Sequence, residues 1–479
     1  MAAASTSAYT HGLAEWIAEL RFEDLPANVV ERVRLLVLDT IGVGMFGSAL
    51  PWTRLLQTAV LSNEPPGNVS IWGTDHYVSA TNAALVNSTA IHGFELDDWG
   101  VGGHSGASTV AVALAIAQAG IPITGRELIV ALVAGIEGQS RIADAAGGIP
   151  WGPMHKGLGF HGPGLTGTLA AAITAGKALC LSTKEIIDAM GHAGQQAASL
   201  MFTHHGGMGK RLLAGQAARA GLFSAQLARG GFTSNDQVLE APFGGFLSAH
   251  TGNRSPAAFF PQRLTQGLGN DWHTPALVFK LWASRGPMHG TFEAVRKLMH
   301  EQNFTAADVQ SVCIRLGATA YKNVGWRYIP NDIATAQLNI RYGVAVLLLD
   351  GEVFVEQFRS DRLAAPATME VIDRIEVLRD DAFGEEDAHV ALTLRDGRFL
   401  EQGSICRGSM DVHSEDIIPI TRAEVEVKFQ RLTSYFWSAD RSAAVHEWTT
   451  RLTEVPDVTE IASHLASIDN SFVSALGLN

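Results

Sequence analysis

The fold is decided by residues 164–181, which read GLTGTLAAAITAGKALCL, together with residues 210–229, which read KRLLAGQAARAGLFSAQLAR. Both stretches are rich in alanine and glycine, and their apolar residues recur at helical spacing. Because small side chains on a helix face let two helices approach closely, we expect these helices to pack tightly against each other. The two stretches therefore predict a compact, all-helical bundle.

The same helical pattern extends over residues 10–270, where apolar periodic segments are joined by turns that contain glycine and proline. Residues 26–43 form one such segment, and residues 125–145 form another with a clear apolar stripe. That stripe consists of Leu128, Ile129, Leu132, Val133 and Ile136.

The pattern changes near Trp272. A helix over about 290–303 is followed by segments in which apolar and polar residues alternate, as in β-strands: 309–316, 374–379, 389–394 and 399–405. The last two flank Arg-Asp-Gly-Arg at 395–398, which is a strong hairpin signal. These segments predict a smaller α+β domain with an antiparallel sheet.

Helical periodicity returns from about Thr421 to Leu476, so we expect the final segment to pack back on the first domain. The predicted fold class is mainly α, with a large all-helical domain built from both chain ends and a smaller α+β domain. The predicted boundaries are 1–271, 272–412 and 413–479.

Composition narrows the function classes. The chain has 479 residues, of which 47% are hydrophobic and only 17% charged, so much surface is expected to be buried between subunits or domains. A homodimer is the simplest such assembly. The net charge of -13 disfavours a nucleic-acid partner, because binding phosphates usually requires a basic face.

No apolar run reaches the 18 to 20 residues or so that a membrane span needs, and residues 1–7 do not resemble a signal peptide. We therefore expect a cytoplasmic protein that does not enter a membrane. The three cysteines have no paired spacing and predict neither a disulfide framework nor a zinc site.

The densest polar motif is His92-Gly-Phe-Glu-Leu-Asp-Asp-Trp-Gly-Val-Gly-Gly-His104, which contains three carboxylates and two imidazoles. Charge this dense between apolar segments indicates a helix end that opens into a site loop. The alternative is a helix C-terminus with solvated acids, followed by an ordinary glycine-rich turn.

Three further segments place polar residues in apolar, glycine-rich surroundings. Residues 156–168 put His161 just before a helix, where it could carry a proton near neutral pH. The alternative is a histidine that merely caps the helix or packs in the core. Residues 204–219 put Lys210 in a first helical turn, where a cation opposes the helix dipole unless an anion binds there. A solvated Lys-Arg pair is the alternative, and the His204-His205 pair lacks a third ligand for a metal.

The remaining segment, residues 279–290, lies at the predicted domain change. Lys280 stands in an apolar run and His289 opens the next helix, so both could reach a cleft between domains. A hinge with incidental polar residues is the alternative.

Taken together, these segments resemble the MmgE/PrpD family, which contains 2-methylcitrate dehydratase, cis-aconitate decarboxylase and iminodisuccinate epimerase. The resemblance covers nearly the whole chain. Its motifs include Glu95-Leu-Asp-Asp with His104, Gly-Phe-His161, Gly-Gly-Met-Gly-Lys210-Arg, and Lys280-Leu-Trp-Ala with His289. The motifs that begin at Glu95 and Lys280, and the one around Lys210, look closest to the fungal cis-aconitate decarboxylase branch.

The resemblance implies a helical domain assembled from both chain ends, an inserted α+β lid, a homodimer, and activity without a metal or organic cofactor. Carried over by position, the functional residues are Glu95, commonly Asp in relatives, with His104, His161, Lys210 and Lys280. An active-site tyrosine would be Tyr321, with Tyr342 as the other register, and Trp99 stands where several relatives have a small hydroxyl residue.

The chemistry shared by such enzymes is proton transfer at a carbon next to a carboxylate. We expect Lys210, Lys280 and Tyr321 to bind the substrate, His161 and His104 to carry protons, and Glu95 and Asp97 to orient an imidazole. The predicted function is a cofactor-independent lyase, a decarboxylase or dehydratase of a small di- or tricarboxylate such as cis-aconitate or 2-methylcitrate. An isomerase or epimerase of a small dicarboxylate, or a non-catalytic anion-binding relative, are the alternatives.

Overall fold

The computed structural model describes residues 8–100, 102–147, 158–204, 207–251, 259–384, 387–408 and 418–478. Three parts of the sequence predictions lie outside these residues: the start of the His161 segment at Lys156, His205, and the predicted domain boundary at 412/413. The division into domains stays a prediction.

The first half of the chain is helical, as predicted. Its helices α1 to α10 are Ala8–Glu19, Ala27–Ser48, Pro51–Asn63, Ala80–Ile91, Ser105–Gln118, Gly125–Ala145, Gly162–Ala178, Thr183–Gln196, Gly209–Arg229 and Phe246–His250. Two short strands, β1 (Val69–Ser70) and β2 (Tyr77–Val78), pair between α3 and α4. Helices α6 and α8 begin with capping boxes, in which Thr124 pairs with Glu127 and Ser182 with Glu185.

Helices α7 and α9, the two stretches that decide the fold, pack directly against each other at the centre of the bundle. Gly221 on α9 meets α7 so closely that a Cβ atom there would lie 2.5 Å from Ala171 Cβ and 2.6 Å from the Thr168 carbonyl oxygen. Since part of this barrier is backbone, it cannot move aside like a side chain. Glycine thus sets the distance between the two helices.

Replacing Gly221 by valine is therefore expected to lower the free energy of unfolding by about 1–3 kcal/mol, the usual effect of overpacking. Gln216→Val is the matched control, because Gln216 lies exposed on the same helix. Its effect should stay within about 0.5 kcal/mol. Urea unfolding of both variants measures the difference, and equal losses would contradict close packing at Gly221.

The second half contains helices α11 to α16, which are His289–Gln302, Ala318–Val324, Ile333–Gln337, Ile340–Asp350, Ser360–Leu363 and Pro366–Ile372. Its strands β3 to β6 are Val309–Leu316, Ile375–Arg379, Ala388–Leu394 and Phe399–Gly403, in the order β4-β3-β5-β6. Residues of β5 alternate between buried and half-buried positions, as the sequence pattern predicted. Helix α11 packs against β5 and β6.

The sheet differs from the prediction in one pairing. Strand β3 pairs with β5, and β5 with β6, in antiparallel fashion, but β3 and β4 are parallel, with Val312 opposite Ile375. The sheet is therefore mixed. The physical reason is the connection from β3 to β4, which contains α12 to α16 and is long enough for a crossover, whereas a hairpin would force antiparallel pairing.

The C-terminal helices return to the first half of the chain. They are α17 (Arg422–Thr433), α18 (Ala439–Thr450) and α19 (Ser471–Ala475), and the first two pack against α2. Backbone hydrogen bonds of 2.9 Å join Val458 to Ile123 and Gly125 to Val455. The helical bundle is thus completed by the chain end, which also reaches the loop described below.

Among the described residues, no single helix is both long and apolar enough to cross a bilayer. Helices α2 and α3 meet that criterion only as a pair, which is bent by 78°, and most of α2 is buried in the bundle. The three cysteines are free thiols.

Candidate active site

The site is built on the acidic loop between α4 and α5. A 3-10 turn, His92–Phe94, continues α4, and Glu95 then takes the left-handed conformation at φ 57°. Such a conformation is unfavourable by about 1 kcal/mol or more for a residue with a side chain. It ends the helical turn, so that Glu95 and Asp97 lie in one buried cluster with lysines from two distant segments.

Asp98 organises the far end of the loop. Its two carboxylate oxygens accept hydrogen bonds of 2.9 Å from the backbone N–H groups of Ser105 and Gly106, the first turn of α5. An anion at a helix N-terminus is favourable, so Asp98 serves as a cap. Burial, reinforced by the neighbouring charge of Asp97, nevertheless raises the pKa of Asp98 to about 7.

Glu95 holds two lysines that come from different parts of the chain. Lys210, in the first turn of α9, forms an ion pair with Glu95 Oε1, and Lys280 Nζ lies 3.1 Å from Oε2. Lys280 Nζ also lies 3.5 Å from Asp97 Oδ1. Lys280 is 1% exposed and Lys210 5%, so this is a buried charge cluster rather than a surface ion pair.

Burial shapes the protonation of this cluster. It lowers the pKa of Lys210 well below its ordinary value, and the neighbouring cations Lys280, Arg285 and Arg211 add to the effect. The pKa of Lys280 is also lowered by burial, although Asp97 opposes the shift. Burial therefore opposes the charge of both lysines, and the carboxylates of Glu95 and Asp97 offset that cost.

Asp97 faces two imidazoles. Its Oδ2 atom lies 2.7 Å from His92 Nδ1 and 2.9 Å from His104 Nδ1, and the two rings meet edge to face with centroids 4.5 Å apart. Burial alone would raise the pKa of Asp97, but His104, His92 and Lys280 together hold it well below its ordinary value. Asp97 is therefore an anion that accepts a hydrogen bond from His92 and lies at ion-pair distance from His104.

His161 lies in the same part of the fold. It precedes the first residue of α7 and is 3% exposed. The α7 start abuts the glycines before His104: Thr166 donates a 2.5 Å hydrogen bond to the Gly102 carbonyl oxygen, and a Cβ atom on Gly103, at φ 147°, would lie 3.2 Å from Pro163. The backbone thus brings the His161 and His104 segments together.

The two candidate tyrosines have different environments. Tyr342 is fully buried, donates its hydroxyl to the Gln357 carbonyl oxygen, and packs on Tyr328 and Phe358. Tyr321 is half-buried on α12, and among the described residues its hydroxyl forms no hydrogen bond with the acidic loop or its lysines. Tyr342 is therefore a core residue, and the role of Tyr321 stays a prediction.

Other expected contacts differ in detail. Asp97 does contact an imidazole, whereas Glu95 contacts lysines instead. His289 bonds through Nε2 to the Ser284 carbonyl oxygen at 3.1 Å, and burial beside Lys280 lowers its pKa to about 3. Its ring is thus held as a neutral group at the start of α11.

Trp99 joins the loop to the segment that carries Lys280. Its backbone N–H and carbonyl pair with those of Val278 at 2.9 and 2.8 Å, and its ring packs against Gly286. The tryptophan therefore fills space beside the cluster, and fixes Lys280 relative to Glu95.

Two further buried cations, which were not expected from the sequence, hold the backbone of the acidic loop in place. Arg211 donates to the Gly93 carbonyl oxygen at 2.9 Å and lies over the Trp52 ring, while Lys428 donates to the Leu96 carbonyl oxygen. Lys428 also pairs with Asp39 at 2.7 Å. The signal for Lys428 was present, because it occupies an apolar position of α17.

Within the described residues, His92, Asp97 and His104 form one group whose ligand atoms lie within 4.8 Å of one another, as a metal site would require. Two ligand atoms on one tetrahedral zinc ion lie about 3.4 Å apart, given Zn–N and Zn–O bonds near 2.1 Å. The distances of 2.7 and 2.9 Å are shorter and match N–H to carboxylate contacts. We interpret the group as a proton-bearing network.

Comparison with known proteins identifies relatives over most of the chain. The MmgE/PrpD N-terminal domain matches residues 11–258 and the MmgE/PrpD C-terminal domain matches residues 282–452. A cis-aconitate decarboxylase-like protein of Aspergillus oryzae is 29% identical over 94% of this chain and 96% of its own.

Two further relatives are named as a decarboxylase and a dehydratase. The cis-aconitate decarboxylase of Aspergillus terreus is 31% identical over 79% of this chain and 80% of its own. The mitochondrial 2-methylcitrate dehydratase of Yarrowia lipolytica is 22% identical over 83% of this chain and 79% of its own. The predicted family resemblance is confirmed.

Proposed function

Because the chain belongs to the MmgE/PrpD family and is an enzyme of that type, we propose that it is a lyase that decarboxylates cis-aconitate without a cofactor. One observation supports the choice of a carboxylate substrate. Lys210 and Lys280 converge on a carboxylate, that of Glu95, inside a buried site. Two cations placed to hold one carboxylate are suited to hold another.

The reaction balances with one proton. Loss of CO2 from the methylene carbon of cis-aconitate leaves an electron pair, which forms a new C=C bond to the central carbon. The original double bond shifts its electrons to the vinyl carbon, and that carbon takes up a proton to give itaconate. Negative charge therefore develops next to a carboxylate, where fixed cations in a dry site stabilise it most.

The residues of the site divide these tasks. Lys210 and Lys280 bind carboxylates of the substrate, with Glu95 and Asp97 keeping the two ammonium groups in place. His161 supplies the proton, and His104, oriented by Asp97, acts as an acid or base on the opposite side of the substrate. Because these side chains are less than a tenth exposed, the charge develops away from bulk water.

Proton NMR in D2O tests the proposal. Purified protein, with no added metal, is mixed with cis-aconitate, 2-methylcitrate, citrate, itaconate or aspartate-derived imino acids. The expected result is conversion of cis-aconitate to itaconate with one deuterium at the former vinyl carbon.

Other outcomes reject decarboxylation. Loss of water from 2-methylcitrate without release of CO2 indicates a dehydratase, and a change of configuration alone indicates an epimerase. Thermal stabilisation by a tricarboxylate with no turnover of any compound indicates a non-catalytic binder.

Metal independence is a separate prediction. After dialysis against EDTA, the rate with cis-aconitate should be unchanged, because the contacts of Asp97 with His92 and His104 have hydrogen-bond lengths. A rate that falls on dialysis and returns with Zn²⁺ or Mn²⁺ would show instead that these residues hold an ion.

We further propose a homodimer in the cytoplasm. Support for self-association comes from large apolar side chains that are exposed in one part of the sequence: Leu200, Phe202, Phe232 and Phe243. Light scattering should give twice the chain mass of 51.1 kDa.

A further inference from the structure

His92 is a buried imidazole of the acidic loop that takes no direct part in the proposed reaction. It is the first residue of the 3-10 turn that follows α4, and it is 1% exposed. Its ring lies behind Asp97 and contacts the ring of His104 edge to face.

The protonation of His92 follows from its contacts. Nδ1 lies 2.7 Å from the Asp97 carboxylate, which can only accept, so Nδ1 carries the proton. Nε2 is buried and has no hydrogen-bond partner among the described residues. Burial also lowers the pKa of His92 to about 3, although Asp97 opposes the shift. His92 is therefore a neutral imidazole with a single proton at Nδ1.

An imidazole held in this way is energetically unfavourable if its role is only to fill space in the core. A buried polar atom without a partner is unfavourable, and an apolar side chain of similar size would avoid that penalty. The hydrogen bond that His92 donates to the Asp97 carboxylate offsets that penalty. The use of histidine at this position is therefore explained by the effect of this hydrogen bond on Asp97.

Asp97 is constrained from three directions. His92 donates to Oδ2, Lys280 lies 3.5 Å from Oδ1, and His104 Nδ1 approaches the same Oδ2 at 2.9 Å. Lys280 on one oxygen and His92 on the other restrict rotation of the carboxylate. His104 Nδ1 lies beside Oδ2 at ion-pair distance, although among the described residues it forms no hydrogen bond.

We propose that His92 is a positioning residue, which fixes the Asp97 carboxylate so that His104 keeps its proton on Nδ1 and presents Nε2 to the substrate. The inference rests on the proposed function, in which His104 carries a proton. A carboxylate that sets the tautomer of a reacting imidazole is a general device of acid-base sites. Here a second imidazole, that of His92, fixes the orientation of the carboxylate.

Two substitutions test the inference. The side-chain amide introduced by His92→Asn places an N–H group where Nδ1 lies, whereas His92→Leu keeps the bulk and removes the donor. We expect His92→Leu to lower kcat about 10- to 100-fold with little change in KM, the size of effect seen when a group that orients a site ligand is lost. His92→Asn should restore most of the lost kcat.

A second measurement does not depend on turnover. In protein with ¹⁵N-labelled histidine, long-range ¹H–¹⁵N correlation reports which ring nitrogen carries the proton, and His104→Gln identifies the His104 signals. The wild type should show His104 protonated at Nδ1. His92→Asn should keep that tautomer, and His92→Leu should mix it with the Nε2–H form.

The two measurements separate the two claims. If the wild type converts none of the carboxylates, the proposed function fails, while the tautomer of His104 still tests the role of His92. The role of His92 is overturned if wild-type His104 carries its proton on Nε2. It is also overturned if His92→Leu and His92→Asn have equal kcat values.

Discussion

Lys280→Met should lower kcat/KM for cis-aconitate by about 100- to 1,000-fold, the effect of removing one group that stabilises developing negative charge. It should also lower the free energy of unfolding by about 3–5 kcal/mol. Both effects have one cause. Lys280 is buried between Glu95 and Asp97, and methionine would leave these carboxylates without the cation they share.

Steady-state kinetics and urea unfolding measure the two effects. Lys184→Met is the matched control, because Lys184 pairs with Asp188 but is largely exposed, and such pairs contribute about 0–1 kcal/mol. Adding Glu95→Gln to Lys280→Met should recover part of the stability and none of the activity. A double variant that recovers activity would show that Lys280 acts only on the fold.

His161→Ala should lower kcat about 100- to 10,000-fold, the range expected for loss of a general acid or base, with little loss of tricarboxylate binding. His161 is buried directly before α7, whose first turn abuts the glycines that precede His104. A ring in that place can donate a proton to a substrate held by the lysines without holding the substrate itself.

Turnover and calorimetric binding of an unreactive tricarboxylate separate these effects. His192→Ala is the matched control, since His192 is also buried and bonds through Nε2 to the Phe232 carbonyl oxygen at 2.9 Å. It should destabilise the bundle and leave kcat unchanged. Unchanged turnover in His161→Ala would remove His161 from the mechanism and leave it as a core histidine.

Much of the candidate site could be predicted because its residues occupy places that a plain core would not tolerate. Lys280 in an apolar run, Lys210 in a first helical turn and the carboxylates of the acidic loop are all unfavourable unless they meet each other. The sequence pattern could not predict which of these charged side chains pair with each other. Glu95 was expected to orient an imidazole and instead holds lysines, because its left-handed backbone at φ 57° turns the side chain toward α9.

The parallel pairing of β3 with β4 was missed for a similar reason. Alternating residues predict a strand and its buried face, and the Asp-Gly turn at 396–397 predicts a hairpin, as observed for β5 and β6. A strand that is reached through several helices has no such local signal. Its direction depends on how the crossover packs.

The sequence by itself determined the helical bundle, the position of the sheet, the family and several of the buried charges, because helical period, strand alternation and small residues act through neighbours along the chain. Only the tertiary structure decided which charges meet. Glu95 and Lys280 are 185 residues apart, and Lys428 pairs with Asp39 from near the other end of the chain. Such contacts are chosen by the low dielectric of the interior, which makes an unpaired charge too unfavourable to keep and so selects the packing that pairs it.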